Sequence, residues 1–296
     1  MTTLRVSCML LLAFVVGCNH PPPRYPYLEW RLPTFAPAPT PAVPGVDRPL
    51  RVVTYNVHRI SGAALTRAIL ADETVRNADV ILLQEVYQHS DCSPACAAAA
   101  ALGMYSMYAP GHGVADGSDG VAILSRTPLH DAHVIELPDN FVMFNGGRRI
   151  ALAAQTTIGG IPMMFIAVHL ENRISVDKRR AQLAPVLAYA QTTHMPTVIT
   201  GDMNTSPFTW AAGVLPFPSA QGCWLEDLAR SAGFDTPVAD SAPTTPYLSM
   251  KLDAIYTRGV RVVNYGVQSN MHASDHYPLW ADMLVVAPQL AARKSI

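Results

Sequence analysis

Leu50-Arg-Val-Val-Thr-Tyr-Asn-Val57 and Asp79-Val-Ile-Leu-Leu-Gln-Glu85 decide the fold. Both runs are β-branched or apolar almost throughout, and both finish in amides or a carboxylate. Such runs read as strands buried on both faces. Residues 63–77 lie between them and place Leu65, Ile69 and Leu70 on one helical face. A helix between two buried strands reads as a helical crossover. Further along, Gly120–Ser125, Ile150–Thr157, Met163–His169, Thr197–Thr200, Leu252–Thr257, Val260–Gln268 and Leu279–Val286 read as strands. Gly159-Gly160 marks a hairpin turn between two of them. Ala97–Leu102, Asp177–Ala190 and Trp224–Ala232 read as helices, with Pro185 expected to kink or break the second. Hairpins mixed with crossovers predict one or two mixed sheets with helices outside. There are no internal repeats, and one domain is expected from residue 50 to 286, followed by a tail at 287–296.

The 296-residue chain has 21 Lys+Arg, 22 Asp+Glu and a formal net charge of -1. Half of its residues are apolar and 15% are charged, which excludes a disordered polyampholyte. The charge balance also argues against a strongly basic nucleic-acid binder, but not against an enzyme that touches a few phosphates.

Upstream of the domain, Val6–Val16 follows Arg5 and is too short to span a bilayer, which takes about 20 apolar residues. It has the length of a secretory h-region. The run ends in Val15-Val16-Gly17-Cys18, which resembles a bacterial lipobox. That resemblance implies a signal at 1–17 cut before an acylated Cys18, with export and membrane anchoring on the periplasmic face. Asn19, rather than Asp, favours the outer membrane. Ten of the 25 prolines fall between Pro21 and Pro49, so residues 18–49 read as an extended tether. Cys92 and Cys96 lack a second Cys/His pair at zinc spacing, which leaves a local disulfide or two thiols at a helix start.

Polar groups gather where the strands end. Asn56 closes the first strand, Gln84-Glu85 the second, His169 the run Ile166–Val168, and Asp202-Met-Asn204 the run Val198–Thr200. Asp253 opens a strand, and Ser274-Asp275-His276 precedes the last one. Each residue alone has an ordinary structural reading; the set in this order points to a site. A polar side chain buried without a partner costs about 1–3 kcal/mol, so one sheet edge rarely collects so many without a function. Oxygen donors such as Glu85, Asp202 and Asn204 suit a hard cation, Mg2+ first, with Mn2+ or Ca2+ as alternatives.

The chain resembles the endonuclease/exonuclease/phosphatase superfamily. The resemblance rests on TYNV with Asn56, DVILLQEV with Glu85, GVAILSR at 120–126, AVHL with His169, GDMN with Asp202 and Asn204, LDAIY with Asp253, and SDHYPL with Asp275 and His276. It implies a four-layer α/β/β/α sandwich of two packed mixed sheets, with the site at one end. It also implies a phosphoesterase. In that reading Glu85 is the principal metal ligand, Asn56 supports the metal or touches the phosphate, and Asp275 joins the coordination. His276, paired with Asp253 or Asp275, acts as base or phosphate stabiliser. Asp202 orients the attacking water, Asn204 donates to the pentacovalent oxygens, and His169 contacts phosphate or leaving group. Arg149 of the Arg148-Arg149 pair is expected near the phosphate, whereas Lys178-Arg179-Arg180 reads as an exposed helix face.

The substrate stays open between nucleic acid, a phospholipid or sphingomyelin head group, and a sugar or inositol phosphate monoester. A degenerate, binding-only module is the non-enzymatic alternative. The apolar loop Pro207–Pro218 together with the anchor favours membrane proximity. A monomer is expected.

Overall fold

The β-branched run Leu50–Asn56 forms β1, and Val80–Gln88 forms β2, paired parallel to it from Val52↔Val80 to Asn56↔Gln84. The structure, a computed structural model, describes residues 48–89, 91–114, 117–140, 142, 147–205, 221–246 and 249–285. The signal segment, Cys18, nearly all of the tether, the loop 207–218 and the tail 287–296 lie outside the described residues. Helices α1 (Gly62–Ala71) and α2 (Glu73–Arg76) make the crossover from β1 to β2. Then come α3 (Pro94–Leu102), β3 (Tyr105–Val114), β4 (Gly117–Ser125), β5 (His130–Glu136), β6 (Ile150–Ile158) and β7 (Ile161–His169). The chain continues with α4 (Val176–Ala190), β8 (Thr197–Asp202), α5 (Gln221–Ser231), β9 (Asp253–Arg258), β10 (Val260–Val267) and β11 (Leu279–Val285).

One sheet has the order β10-β11-β1-β2-β4-β3 and the other β5-β6-β7-β8-β9. Only β1/β2 and β7/β8 pair in parallel, and each of these pairs is joined by helices, as parallel geometry requires. Side-chain alternation then builds the layers. Val52, Leu82 and Ile123 of the first sheet meet Leu152, Phe165, Val198 and Ile255 of the second in a central core. Their neighbours Val53, Ile81 and Leu83 face the opposite way, onto Leu65 and Ile69 of α1 and Ala98 and Ala99 of α3. On the far side, Ile166, Val168 and Ile199 pack on Leu183 and Leu187 of α4 and Leu225 of α5. The result is the expected α/β/β/α sandwich. Burying each such aliphatic side chain contributes about 1.5–3 kcal/mol, so both faces of β1, β2, β7 and β8 are held hard. Their ends are correspondingly fixed in place.

Four sequence expectations change. The helix read over 63–77 is two helices: Asp72 adopts an extended conformation and its side chain caps α2 by accepting from Val75 N. Strands β3 and β5 were not foreseen, because Pro110, Gly111 and Gly113 interrupt the first and polar residues fill the second. Of the two outcomes expected at Pro185, the break does not occur, since α4 runs through it; Ala181, whose carbonyl loses its usual partner, lies on the exposed side. Finally, Arg179 is not on an exposed face. It is fully buried and donates from Nε to Glu171 O (3.0 Å) and from Nη2 to Asn172 O (2.6 Å). Burial pulls its pKa down to about 10. Arg179→Ala should cost about 3 kcal/mol in urea unfolding, since it leaves two carbonyls unpaired and a cavity. Cys92 and Cys96 form a disulfide at the start of α3 (Cα–Cα 5.3 Å).

Candidate active site

Strand register brings the polar ends together. Asp202 closes β8 between His169 of β7 and Asp253 of β9, each directly opposite it across the sheet. On the facing sheet, Asn56 ends β1 beside Gln84. Glu85 would follow the buried alternation of β2, but the β2–β4 ladder shifts register between Leu83 and Val86. Glu85 takes a left-handed conformation there (φ 52°), and its carboxylate reaches the surface with 23% exposure. Bulges re-aim side chains in this way. Of the six described non-glycine residues with positive φ, four border this cleft: His58, Arg59, Glu85 and Asn204. Each costs on the order of 1 kcal/mol, a strain that collects at functional sites.

Asp202 Oδ2 is the hub. Asn56 Nδ2 donates to it (3.0 Å) and to Glu85 Oε1 (3.1 Å), while Asn56 Oδ1 accepts from His58 N (3.0 Å). His276 Nε2 and His169 Nε2 each lie 3.7 Å from the same oxygen, and His169 Nε2 lies 3.9 Å from Glu85 Oε1. Asp202 Oδ1 accepts from Asn204 N (2.8 Å), and Asn204 Nδ2 donates to Leu170 O (2.8 Å). His276 Nδ1 sits 2.9 Å from Asp253 Oδ2.

The two imidazoles are driven to opposite charge states. Burial disfavours the His276 cation, but the Asp253 and Asp202 carboxylates outweigh it and raise the pKa to about 10. His169 is held neutral by burial and by the nearby Arg149 guanidinium. Arg149 Nη1 lies 3.2 Å from His169 Nδ1. A guanidinium can only donate, so Nδ1 accepts and the ring proton sits on Nε2, facing Asp202 and Glu85. Burial pushes the Asp202 carboxyl up to about 7, with His276 opposing and Asp253 adding to the rise. Because the His276 pKa is raised on folding, its contribution to stability is complete below the unfolded value, about 6.5. It is lost as pH climbs through about 10. The melting advantage of wild type over Asp253→Asn should therefore shrink between pH 7 and 10.5.

Asn56, Glu85, His169, Asp202, Asn204, Asp253 and His276 thus meet at one end of the sandwich. Arg149 joins them from behind His169, its Nε donating to the buried Glu171 carboxylate (3.0 Å). Asp275 lies on the rim, 29% exposed, with its carboxylate 2.7 Å from His58 Nδ1 and within electrostatic reach of His276. Arg148 turns away to Glu136. Sequence reasoning missed Glu171, His58, Arg59 and Asp119. Glu171 directly follows Leu170, and His58-Arg59 follow Val57, at strand ends already singled out, so the same signal could have found them. Asp119 directly precedes the run Gly120–Ser125 read as a strand, so its carboxylate carried the same strand-end signal.

Among the described residues no three His, Cys, Asp or Glu side chains are spaced to hold a metal unaided. The donor set nonetheless fits a hard divalent cation, which often binds through one or two carboxylates and keeps its waters. Arg59 and Arg149 are matched by their own carboxylates, Asp119 and Glu171. When ionised, Glu85, Asp202 and Asp253 outnumber the His276 cation among the described residues of the cluster. Asp253 Oδ1 is also buried with no hydrogen-bond partner among the described residues. Of these carboxylates Glu85 is the one solvent reaches, and Asn56 donates its amide nitrogen to it.

Solved structures share this architecture. An endonuclease/exonuclease/phosphatase from Beutenbergia cavernae superposes with a TM-score of 0.64 at 20% identity, over 80% of this chain and 71% of that one. The human Nocturnin catalytic domain with bound sulfate gives 0.58 at 20% identity, over 79% and 94%. TDP2 from D. rerio, complexed with single-strand DNA product, gives 0.59 at 18% identity, over 80% and 99%. No curated protein matches the chain. Residues 53–276 match the Endonuclease/Exonuclease/phosphatase family, a span that starts inside β1 and ends on His276. With the sandwich, the strand-end cluster and that match in agreement, the chain belongs to the endonuclease/exonuclease/phosphatase family.

Proposed function

We propose that this protein is a divalent-metal-dependent phosphodiesterase that hydrolyses a P–O bond by in-line attack of water. The observation that carries this reading is the hub at Asp202 Oδ2, where a cationic His276, a neutral His169 and Asn56 converge beside the accessible Glu85 carboxylate. Glu85 would hold the cation, Mg2+ or Mn2+, with Asn56 keeping the carboxylate in place. Bound there, the ion supplies charge neutralisation at phosphoryl oxygens. Asp202, raised to about 7, suits the orienting and deprotonation of a water near neutral pH. His276 stabilises charge on the pentacovalent oxygens, and Asp253 fixes its ring. His169 offers its Nε2–H to a phosphoryl or leaving oxygen. Asn204 anchors Asp202 through its backbone N–H, and its side chain has one amide hydrogen to spare beyond Leu170 O.

A diester is favoured over a monoester by the charge balance. Both arginines at the cleft are already paired with carboxylates, so the site offers little surplus for a dianion. Head groups of phospholipid or sphingomyelin are the second reading, favoured by the lipobox at Cys18 and the apolar segment Pro207–Pro218. We place the protein as an exported, lipid-anchored monomer, which labelled-palmitate incorporation at Cys18 tests. The activity is tested by purified protein against DNA, RNA, sphingomyelin, phosphatidylcholine and inositol phosphates, each with Mg2+ or with EDTA. Cleavage of one diester class with Mg2+ and none with EDTA is expected. Failure on all, or turnover of phosphate monoesters alone, sinks this reading.

A further inference from the structure

Arg59 is a charged residue whose placement the network above does not use. It follows His58 in a turn where both residues are left-handed (φ 42° and 59°). Two backbone bonds pin this turn to the register shift within β2, Val57 N to Gln84 O and Arg59 N to Glu85 O, both 2.9 Å. The strained turn therefore moves with Glu85. Asp119, in the interior of β4 and 3% exposed, accepts from Arg59 Nε at 2.6 Å. A carboxylate buried in an apolar strand needs a partner, and Arg59 is the one it has among the described residues. Bound through Nε, the guanidinium keeps Nη1 and Nη2 clear, and among the described residues neither donates to a protein acceptor. Arg59 Nε is 3.9 Å from Glu85 Oε2, while Oε1 of the same carboxylate faces Asn56 and His169. The side chain is 32% exposed, so solvent and ligands reach it.

We propose that Arg59, oriented by Asp119, binds a non-bridging oxygen of the substrate phosphoryl group from the side of Glu85 opposite Asn56 and His169. An arginine with one edge committed and its terminal nitrogens open is preorganised for an oxyanion. Asp119 is a positioning residue that acts through it. The proposal rests on the phosphoesterase reading, and its test separates the two. Two quantities are measured on wild type, Arg59→Lys, Arg59→Ala, Asp119→Asn and the Arg59→Ala/Asp119→Asn double variant, each checked for folding by circular dichroism. One is kcat/KM for bis(p-nitrophenyl) phosphate with Mg2+. The other is binding of inorganic phosphate, followed by 31P line width.

Arg59→Ala should lose about 100-fold in kcat/KM, the scale of one lost oxyanion donor. It should also weaken phosphate binding, and added guanidinium chloride should restore part of its rate. Arg59→Lys should lose about 10-fold, because an ammonium cannot bond Asp119 and still present two open donors. The double variant should fall no further than Arg59→Ala alone, since Asp119 acts through Arg59. Rates and phosphate binding within twofold of wild type in Arg59→Ala, a fully additive double variant, or no guanidinium rescue overturns the proposal and makes the Arg59–Asp119 pair a structural clasp. Phosphate binding that depends on Arg59 without turnover of any ester keeps this inference and removes the phosphoesterase reading. Neither binding nor turnover in wild type overturns both.

Discussion

His276→Ala should lower kcat/KM for a phosphodiester by about 10³-fold, within the range of a lost acid–base or charge-stabilising side chain. The imidazole sits 2.9 Å from Asp253 and 3.7 Å from Asp202, and those carboxylates keep it charged well above neutral pH. Removing it deletes the cation that lies against both Asp202 and Asp253. Two buried carboxylates then face each other unscreened, and Asp202 becomes harder still to ionise, so its use as a base near pH 7 is lost as well. Turnover therefore falls for two reasons at once. The variant should also unfold at lower urea, because a buried carboxylate stripped of its partner is costly. Asp253→Asn should give the smaller loss in rate, since the imidazole stays in place but loses its charge support. Steady-state kinetics beside urea titrations of the same samples check both statements.

Glu85→Gln should cost about 10³-fold in turnover, as several kcal/mol of charge stabilisation depend on the cation it holds. It should also raise the Mg2+ or Mn2+ concentration for half-maximal rate by more than about 10-fold. Stability should not fall with it. Glu85 is held in a left-handed conformation, shares Asn56 with the neighbouring Asp202, and sits partly in solvent. Losing its charge relieves repulsion in the cluster, so the melting temperature in EDTA should stay level or rise, the usual trade between a strained site and stability. A Glu85→Gln protein that melts earlier and keeps its rate would mean that the carboxylate is structural.

The frame was legible because its strands are buried on both faces. Runs such as Asp79–Leu83 and Val198–Thr200 carry an apolar signal that outweighs local propensity, and their polar ends point to the cleft. Asn56, Glu85, His169 and Asp202 were readable for that reason. The edge strands β3 and β5 carry no such signal: β3 holds Pro110 and two glycines, and β5 is mostly polar, so both read as loop. The bulge at Glu85 and the left-handed turn at His58-Arg59 are decisions of backbone register, invisible in residue type. Arg179 shows the opposite failure. Flanked by Lys178 and Arg180, it reads as a solvated run, yet helical phase turns it alone inward to bind the loop after β7. Charge runs report composition; phase decides which member is buried.

The most direct test of the account is single-turnover hydrolysis of the preferred diester in H2 18O with Mg2+, with the products examined by 31P NMR. Attack of water on phosphorus puts one 18O into the phosphoryl product, and EDTA abolishes the signal. Label in the alcohol product, unlabelled phosphate, or hydrolysis indifferent to EDTA would contradict it.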